Sequence, residues 1–233
     1  MIDLVIPVYN DGANLLTLIK ELKKHVKYKV TLFICYDKDD DDLFNYLDEI
    51  KKINIEFKLI KNISSGPCEA VKTGIYSGKS NCIIVYPADD FINVKLINQM
   101  LEKNNEGFDV VVCSRFMKGG SMKGCPIIKS IIVRFVSLSL FLLSSIPVRD
   151  ASNGLRMFSR KLVRNVTIES KIGFAYSLEL LVKAKKKNFK ICEIPAQWEE
   201  RTVGSSKFKI LKWSRQYLKW YFYGLYHSSI FKK

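Results

Sequence analysis

The sequence predicts an α/β fold, a mainly parallel sheet flanked by helices, and three features carry that prediction. Short apolar runs closed by turn residues recur through the first half of the chain. Between them lie segments whose apolar residues repeat at helical spacing. The two kinds alternate without an internal repeat, and strands alternating with helices imply parallel neighbours covered on both faces.

Asp3 to Val8 forms the first buried strand, ended by Pro7 and a polar Tyr9-Asn10-Asp11-Gly12 turn. Asp11 or Asn14 caps a helix over Leu15 to His25, and Lys29 to Tyr36 is the second strand. Asp39 to Lys52 reads as a helix, Glu56 to Ile60 as a strand, and Pro67 to Ser77 as a helix behind a Ser64-Ser65-Gly66 turn. Asn81 to Tyr86, Val94 to Lys103 and Asp109 to Cys113 continue as strand, helix and strand. Beyond Gly120 the alternation weakens to a long apolar helix, a turn at Asp150 to Gly154, a helix over Phe174 to Lys187 and a strand near Ile191 to Pro195.

A chain of 233 residues, 48% hydrophobic and 26% charged, is enough for one well-packed catalytic-sized domain. The net charge of +15 calls for an anionic partner, whether nucleotide phosphate, nucleic acid or acidic lipid. Six cysteines without CxxC spacing and two histidines make zinc improbable and suit a reducing compartment. Met1 leads directly into a strand pattern, with no secretory signal. Neither a GxGxxG after the first strand nor a P-loop is present.

Open parallel sheets bind ligands at the carboxyl ends of their strands, which singles out Asp11, Asp37, Asp89, Asp90 and Arg115. Carboxylates there can hold a divalent metal that neutralises a diphosphate, so Asp89 and Asp90 are the metal candidates, with Mg2+ or Mn2+ the expected ion. An Asp-Asp pair also reads as a turn or a helix cap, and Asp39 to Asp42 as a solvated helix start. Arg115 can fork onto a phosphate, and the Gly119-Gly120 pair behind it lets a loop close. Asp150 orients an acceptor, serves as base, or only makes an Asx-turn. Glu179 reads as a solvated helix residue or a partner of Lys183.

Five segments appear in order: Val5-Ile-Pro-Val-Tyr-Asn10, Asp89-Asp90, Ser114-Arg-Phe-Met-Lys-Gly-Gly120, Asp150-Ala-Ser-Asn-Gly154 and Glu200-Arg-Thr-Val-Gly-Ser-Ser-Lys207. Together they resemble the family 2 glycosyltransferases of GT-A (Rossmann-like) fold, and more narrowly the dolichyl-phosphate mannose synthase branch, over roughly residues 2 to 208. The resemblance implies inverting transfer of a hexose from a GDP- or UDP-sugar to a polyprenyl phosphate. By it, Pro7, Tyr9, Asp37, Gly66, Ala70 and Gly74 border the nucleotide, and Asp89 and Asp90 the metal and diphosphate. Where the family carries the first aspartate of its Asp-x-Asp motif this chain has Pro87, and the paired aspartates after the second strand are reduced to Tyr36-Asp37.

An ionised lipid phosphate needs positioning cations more than a base, and Arg115, Arg134, Arg201 and Lys207 are the candidates. Arg134 also reads as a snorkelling cation. The segment 127–147 is expected to be an amphipathic interface helix inside a 1–207 catalytic domain. Residues 208–233, where Lys and Arg interleave with Trp, Tyr and Phe, are expected to form a membrane-associating tail. The expected enzyme is peripheral or monotopic, on the cytoplasmic face of a membrane with acidic lipids, and binds no nucleic acid. A saccharide or protein hydroxyl acceptor, which would need Asp150 as base, and a non-catalytic membrane-binding module are the alternatives.

Overall fold

In the computed structural model, which describes residues 1–199 and 210–227, the apolar runs become a seven-stranded sheet. The strands are β1 (Ile2–Val8), β2 (Val30–Tyr36), β3 (Glu56–Lys61), β4 (Cys82–Val85), β5 (Val110–Ser114), β7 (Arg156–Ser159) and β8 (Ile191–Pro195), in the order β3-β2-β1-β4-β7-β5-β8. Two shorter strands, β6 (Ser121–Lys123) and β9 (Gln197–Glu199), pair in parallel to make a separate ribbon. β1, β2, β4 and β5 are buried on both faces, so their sequences are nearly continuous Val, Ile, Leu and Cys rather than alternating.

Helices cover both faces. α1 (Gly12–His25), α2 (Leu47–Lys52) and α4 (Leu96–Asn105) pack on one apolar layer, around Leu15, Ile19, Ile50, Ile97 and Met100. α3 (Pro67–Ser77), α6 (Arg160–Asn165) and α7 (Ala175–Lys186) pack on the other, around Val71, Ile75, Leu162 and Leu181. α3 begins where the sequence predicts, because Pro67 lacks the N–H that a first helical turn leaves unpaired and Gly66 adopts φ +110°.

Three features depart from expectation. Asp39 to Lys52 is not one helix: a 3-10 turn over Asp42–Tyr46 precedes α2, and Asp41 caps it by accepting from Leu43 N at 3.0 Å. β7, which the sequence reading missed, is the one antiparallel strand of the large sheet and separates β4 from β5. Its four residues include Arg156, a residue type that argues against a buried strand. Gly119 and Gly120 do not lie in an open loop: Gly120 N donates to Met117 O at 2.9 Å, and a Cβ on Gly120 would lie 2.4 Å from Ser114 O.

α5 (Ile127–Ser144) and α8 (Ile210–Tyr226) pack together and onto the second layer. In α8, Trp220 is buried and donates from Nε1 to Ser170 Oγ at 2.8 Å, and Tyr221 Oη meets Ser139 Oγ of α5 at 2.9 Å. The part of the expected tail within the described residues is therefore joined to the body by buried contacts.

Candidate active site

β1 leads outward to β2 and β3 on one side and to β4 on the other, so the crevice beyond the carboxyl ends of β1 and β4 is the topological switch point where such sheets bind ligands. Pro7 and Tyr9 stand on the β1 side of it, Tyr9 exposed. Asp37, just past β2, accepts from Asn62 Nδ2 at 2.8 Å and from Gly66 N at 2.9 Å, and so ties the β2 end to the turn that starts α3. Ala70 and Gly74 are buried in α3, and Gly74 lets that helix approach Val5 of β1 closely.

The acidic run is only half solvated, with Asp39 and Asp40 exposed and Asp41 buried. Asp41 Oδ2 accepts from Asn10 N at 2.9 Å and Asp42 Oδ1 from Gly12 N at 2.8 Å, so two carboxylates grip the turn after β1. Asn10 is held at φ +47° there. Sequence reasoning missed both residues as site-shaping groups, since the pairing spans about thirty residues and leaves no local signal. Gly12 belongs to the same contact: a Cβ on it would lie 2.6 Å from Tyr46 Cδ2 and 2.7 Å from Leu43 Cα. Gly12→Ala is expected to lower stability by about 1–3 kcal/mol, because the turn must separate from the 42–46 segment. Urea melts check this, and a wild-type midpoint would refute it.

Beyond β4, Asp89 is half-buried. Asp90 differs from expectation, since both its oxygens accept from Asn93: Nδ2 at 2.8 and 3.0 Å and the backbone N at 3.0 Å. Asn93 in turn exchanges bonds with the backbone of Gln197, fastening this turn to β9. Burial is the main influence on the Asp90 carboxyl and raises its pKa, against the hydrogen bonds from Asn93 and with the charge of Asp89 adding to the rise. Asp90 thus holds its own turn together, with Asp89 beside it just past β4. Among the described residues no three His, Cys, Asp or Glu side chains cluster into a metal site. One carboxylate completed by substrate phosphates is nevertheless an ordinary donor set for Mg2+, so Asp89 fits a metal that arrives with a diphosphate.

Beyond β5 the structure corrects two roles. Arg115 directs its fork at Asp150, Nε to Oδ2 at 2.7 Å and Nη2 to Oδ1 at 3.0 Å, and Nη2 also donates to Ser152 Oγ at 2.6 Å. Asp150 is 0% exposed and further accepts from Arg115 N, Ser152 N, Ser152 Oγ and Asn153 N. Burial pushes its carboxyl upward, but the charge of Arg115 and the hydrogen bonds from Arg115 and Ser152 outweigh burial, and the net shift is downward. A buried carboxylate held by Arg115 and by three backbone N–H groups is poorly placed to take up a proton. Arg115 keeps only Nη1 for a ligand, so the two residues form a rigid post rather than a free phosphate fork.

Phe116 links this post to α5. Its ring centre lies 5.0 Å from Arg115 Cζ and 4.7 Å from Cζ of Arg134, an exposed residue of α5. Arg134 is therefore brought to the strand ends rather than only snorkelling. Glu179, left open by the sequence, is fully buried and structural: it pairs with Lys183 at 2.6 Å and accepts from Glu169 N and Ser170 N. Arg201 and Lys207 lie outside the described residues.

The sequence profile described as glycosyl transferase family 2 matches residues 3–167. A dolichol-phosphate mannosyltransferase of Pyrococcus furiosus is 24% identical over 216 residues, 89% of this chain and 59% of that relative, so the chain spans little more than half its length. A polyprenol monophosphomannose synthase of Mycolicibacterium smegmatis is 21% identical over 90% of this chain and 85% of its own. Among solved structures, glucosyl-3-phosphoglycerate synthase from Mycobacterium tuberculosis, in complex with Mn2+, UDP and glucosyl-3-phosphoglycerate, superposes with TM-score 0.66 at 14% identity, over 99% of this chain and 80% of that one. A mannosyltransferase from Pyrobaculum calidifontis in complex with GDP-Man and Mn2+ gives TM-score 0.66 at 13% identity, over 95% of this chain and 62% of that one. At these identities the superpositions establish the shared fold.

Proposed function

This chain belongs to glycosyl transferase family 2, and on that premise we propose that it transfers a hexose from a nucleoside diphosphate sugar to a polyprenyl phosphate at a membrane surface. The observation that carries the lipid acceptor is α5, whose sidedness is reversed for water. Its buried residues are Ser137, Leu140 and Ser144, while Ile127, Ile128, Ile131, Phe135, Leu138 and Leu142 are exposed. A helix with serines inward and bulky apolar side chains outward suits hydrocarbon. Arg134 rises from that helix to the strand ends, where it would meet a phosphate carried by a lipid tail.

The polyprenyl phosphate oxygen attacks the anomeric carbon as the bond from that carbon to the donor diphosphate breaks, inverting its configuration. The nucleophile is already ionised and needs no base, which agrees with a site whose aspartate at position 150 is sealed against Arg115. A hydroxyl acceptor would need a base, and the bonds that hold Asp150 to Arg115 and the 152–153 turn weigh against Asp150 in that role. Pro7, Tyr9, Asp37, Gly66 and Ala70 border the nucleotide, Asp89 faces the diphosphate, and Arg134, with Arg115 behind it, positions the acceptor phosphate. Mg2+ or Mn2+ held by Asp89 and the diphosphate would neutralise the leaving group. The Mn2+ in the two solved relatives is consistent with that. A cytoplasmic leaflet with acidic lipids complements the net charge of +15.

Titration of GDP and UDP, with and without Mn2+, into wild type and Asp89→Asn tests the donor half. Metal-dependent binding of one nucleotide, weakened at least tenfold in Asp89→Asn, is expected. Radiolabelled sugar transfer to a short polyprenyl phosphate tests the acceptor half. Transfer to a soluble hydroxyl acceptor in its place would overturn the lipid assignment.

A further inference from the structure

Arg156 sits in β7 with 0% exposure, and among the described residues no carboxylate bonds to it. Its donors go to backbone carbonyls: Nε to Asn153 O at 2.8 Å, Nη1 to Ser177 O at 2.6 Å and Nη2 to Asp150 O at 3.4 Å. Asp150 is the carboxylate that opposes the effect of burial on it, and Asp150 has both oxygens engaged by Arg115 and the 152–153 turn. Burial lowers the Arg156 guanidinium to about 10, with Asp150 opposing the fall, so it remains charged at neutral pH. Among the described residues Asp150 is the one carboxylate engaged with the two guanidiniums of Arg115 and Arg156, so one positive charge at the strand ends has no ion-pair partner there. The hydroxyls of Tyr176 and Ser177, both buried close by, have no hydrogen-bond partner among the described residues and do not offset it.

Buried charges are ordinarily paired, because an ion removed from water without a counter-charge is strongly penalised. Retention of such a guanidinium in register with Val85 and Val112, at the carboxyl ends of β4 and β5, points to a counter-charge that arrives with the substrate. We propose that Arg156 is a positioning residue for phosphate: it clamps the Asp150–Asn153 turn to α7 and supplies the positive charge that a phosphate group at the ends of β4 and β5 balances. This rests on the nucleotide-sugar and lipid-phosphate function proposed above. The phosphate is either the diphosphate of the donor or the phosphate of the acceptor, and the two sources can be told apart.

Wild type, Arg156→Met and Arg156→Lys are compared by calorimetry against a nucleoside, its diphosphate and farnesyl phosphate. A unit charge acting across roughly 10 Å of protein changes affinity by roughly tenfold. Arg156→Met is therefore expected to weaken one phosphate-bearing ligand by about that factor while leaving the nucleoside unchanged, and Arg156→Lys to stay within about threefold of wild type. Loss with the nucleoside diphosphate assigns the charge to the donor, and loss with farnesyl phosphate to the acceptor. Equal weakening of nucleoside and nucleoside diphosphate, or no weakening at all, overturns the proposal.

Inorganic pyrophosphate keeps the test separate from the transferase function. It should raise the melting temperature of wild type and Arg156→Lys but not of Arg156→Met, even if neither GDP nor UDP binds, and equal shifts in all three would refute the role of the charge. If Arg156→Met does not fold, Arg156→Lys alone decides. Pyrophosphate stabilisation like that of wild type supports the charge, and its loss from a folded Arg156→Lys overturns it.

Discussion

Replacing Asp150 with Ala is expected to abolish transfer and to lower folding stability by about 3–5 kcal/mol, the range for removing one member of a buried ion pair. The substitution strands Arg115, whose side chain is only 10% exposed, and frees the N–H groups of Arg115, Ser152 and Asn153 inside the protein. Proton linkage gives the effect a signature. The folded-state pKa of Asp150 is depressed, so its contribution is complete above the unfolded value of about 3.9 and is lost as the pH falls through the lower folded value. Urea unfolding of wild type and Asp150→Ala should therefore differ fully at pH 7, and the gap should narrow as the pH falls below about 4. A stability gap that persists unchanged into acid would show that the carboxylate charge is not what holds this turn.

Turning two exposed α5 residues into acids, Phe135→Glu with Leu142→Glu, is expected to remove vesicle binding while leaving the fold intact. Their exposures are 68% and 61%, so little packing within the protein is lost. Each apolar side chain transferred into hydrocarbon contributes roughly 1.5–3 kcal/mol, and the pair accounts for at least a hundredfold in partitioning. Repulsion from an acidic leaflet adds to this. Sedimentation with vesicles containing anionic lipid measures it, and circular dichroism confirms the fold. Unchanged sedimentation would mean that α5 does not face lipid, and transfer to a short water-soluble acceptor should survive the substitutions in either case.

The order of strands and helices was legible because burial on both faces demands unbroken apolar runs, as in Leu4 to Ile6 or Val110 to Val112, and a covering helix shows its period in a single segment. The same locality explains why α3 was placed to the residue, with Gly66 and Pro67 marking its start. The strand-end positions of Asp37, Asp89 and Arg115 followed from the same pattern. The partners of those residues did not. Arg115 meets Asp150 across 35 positions, Asp41 meets Asn10 across 31, and Asn93 meets Gln197 across 104, and no spacing rule spans such intervals. Whether an arginine forks onto a ligand or onto its own chain depends on which loops the sheet brings together.

β7 makes the same point in the backbone. A four-residue strand containing Arg156 is stable in the middle of a sheet only because Asn153, Ser177 and Asp150 turn their carbonyls toward the guanidinium, and those carbonyls come from a turn and a helix on either side of it in the chain. Apolar periodicity is a property of each segment and survives in the linear sequence. Charge compensation is a property of pairs, and it exists only once the fold has chosen the pairs.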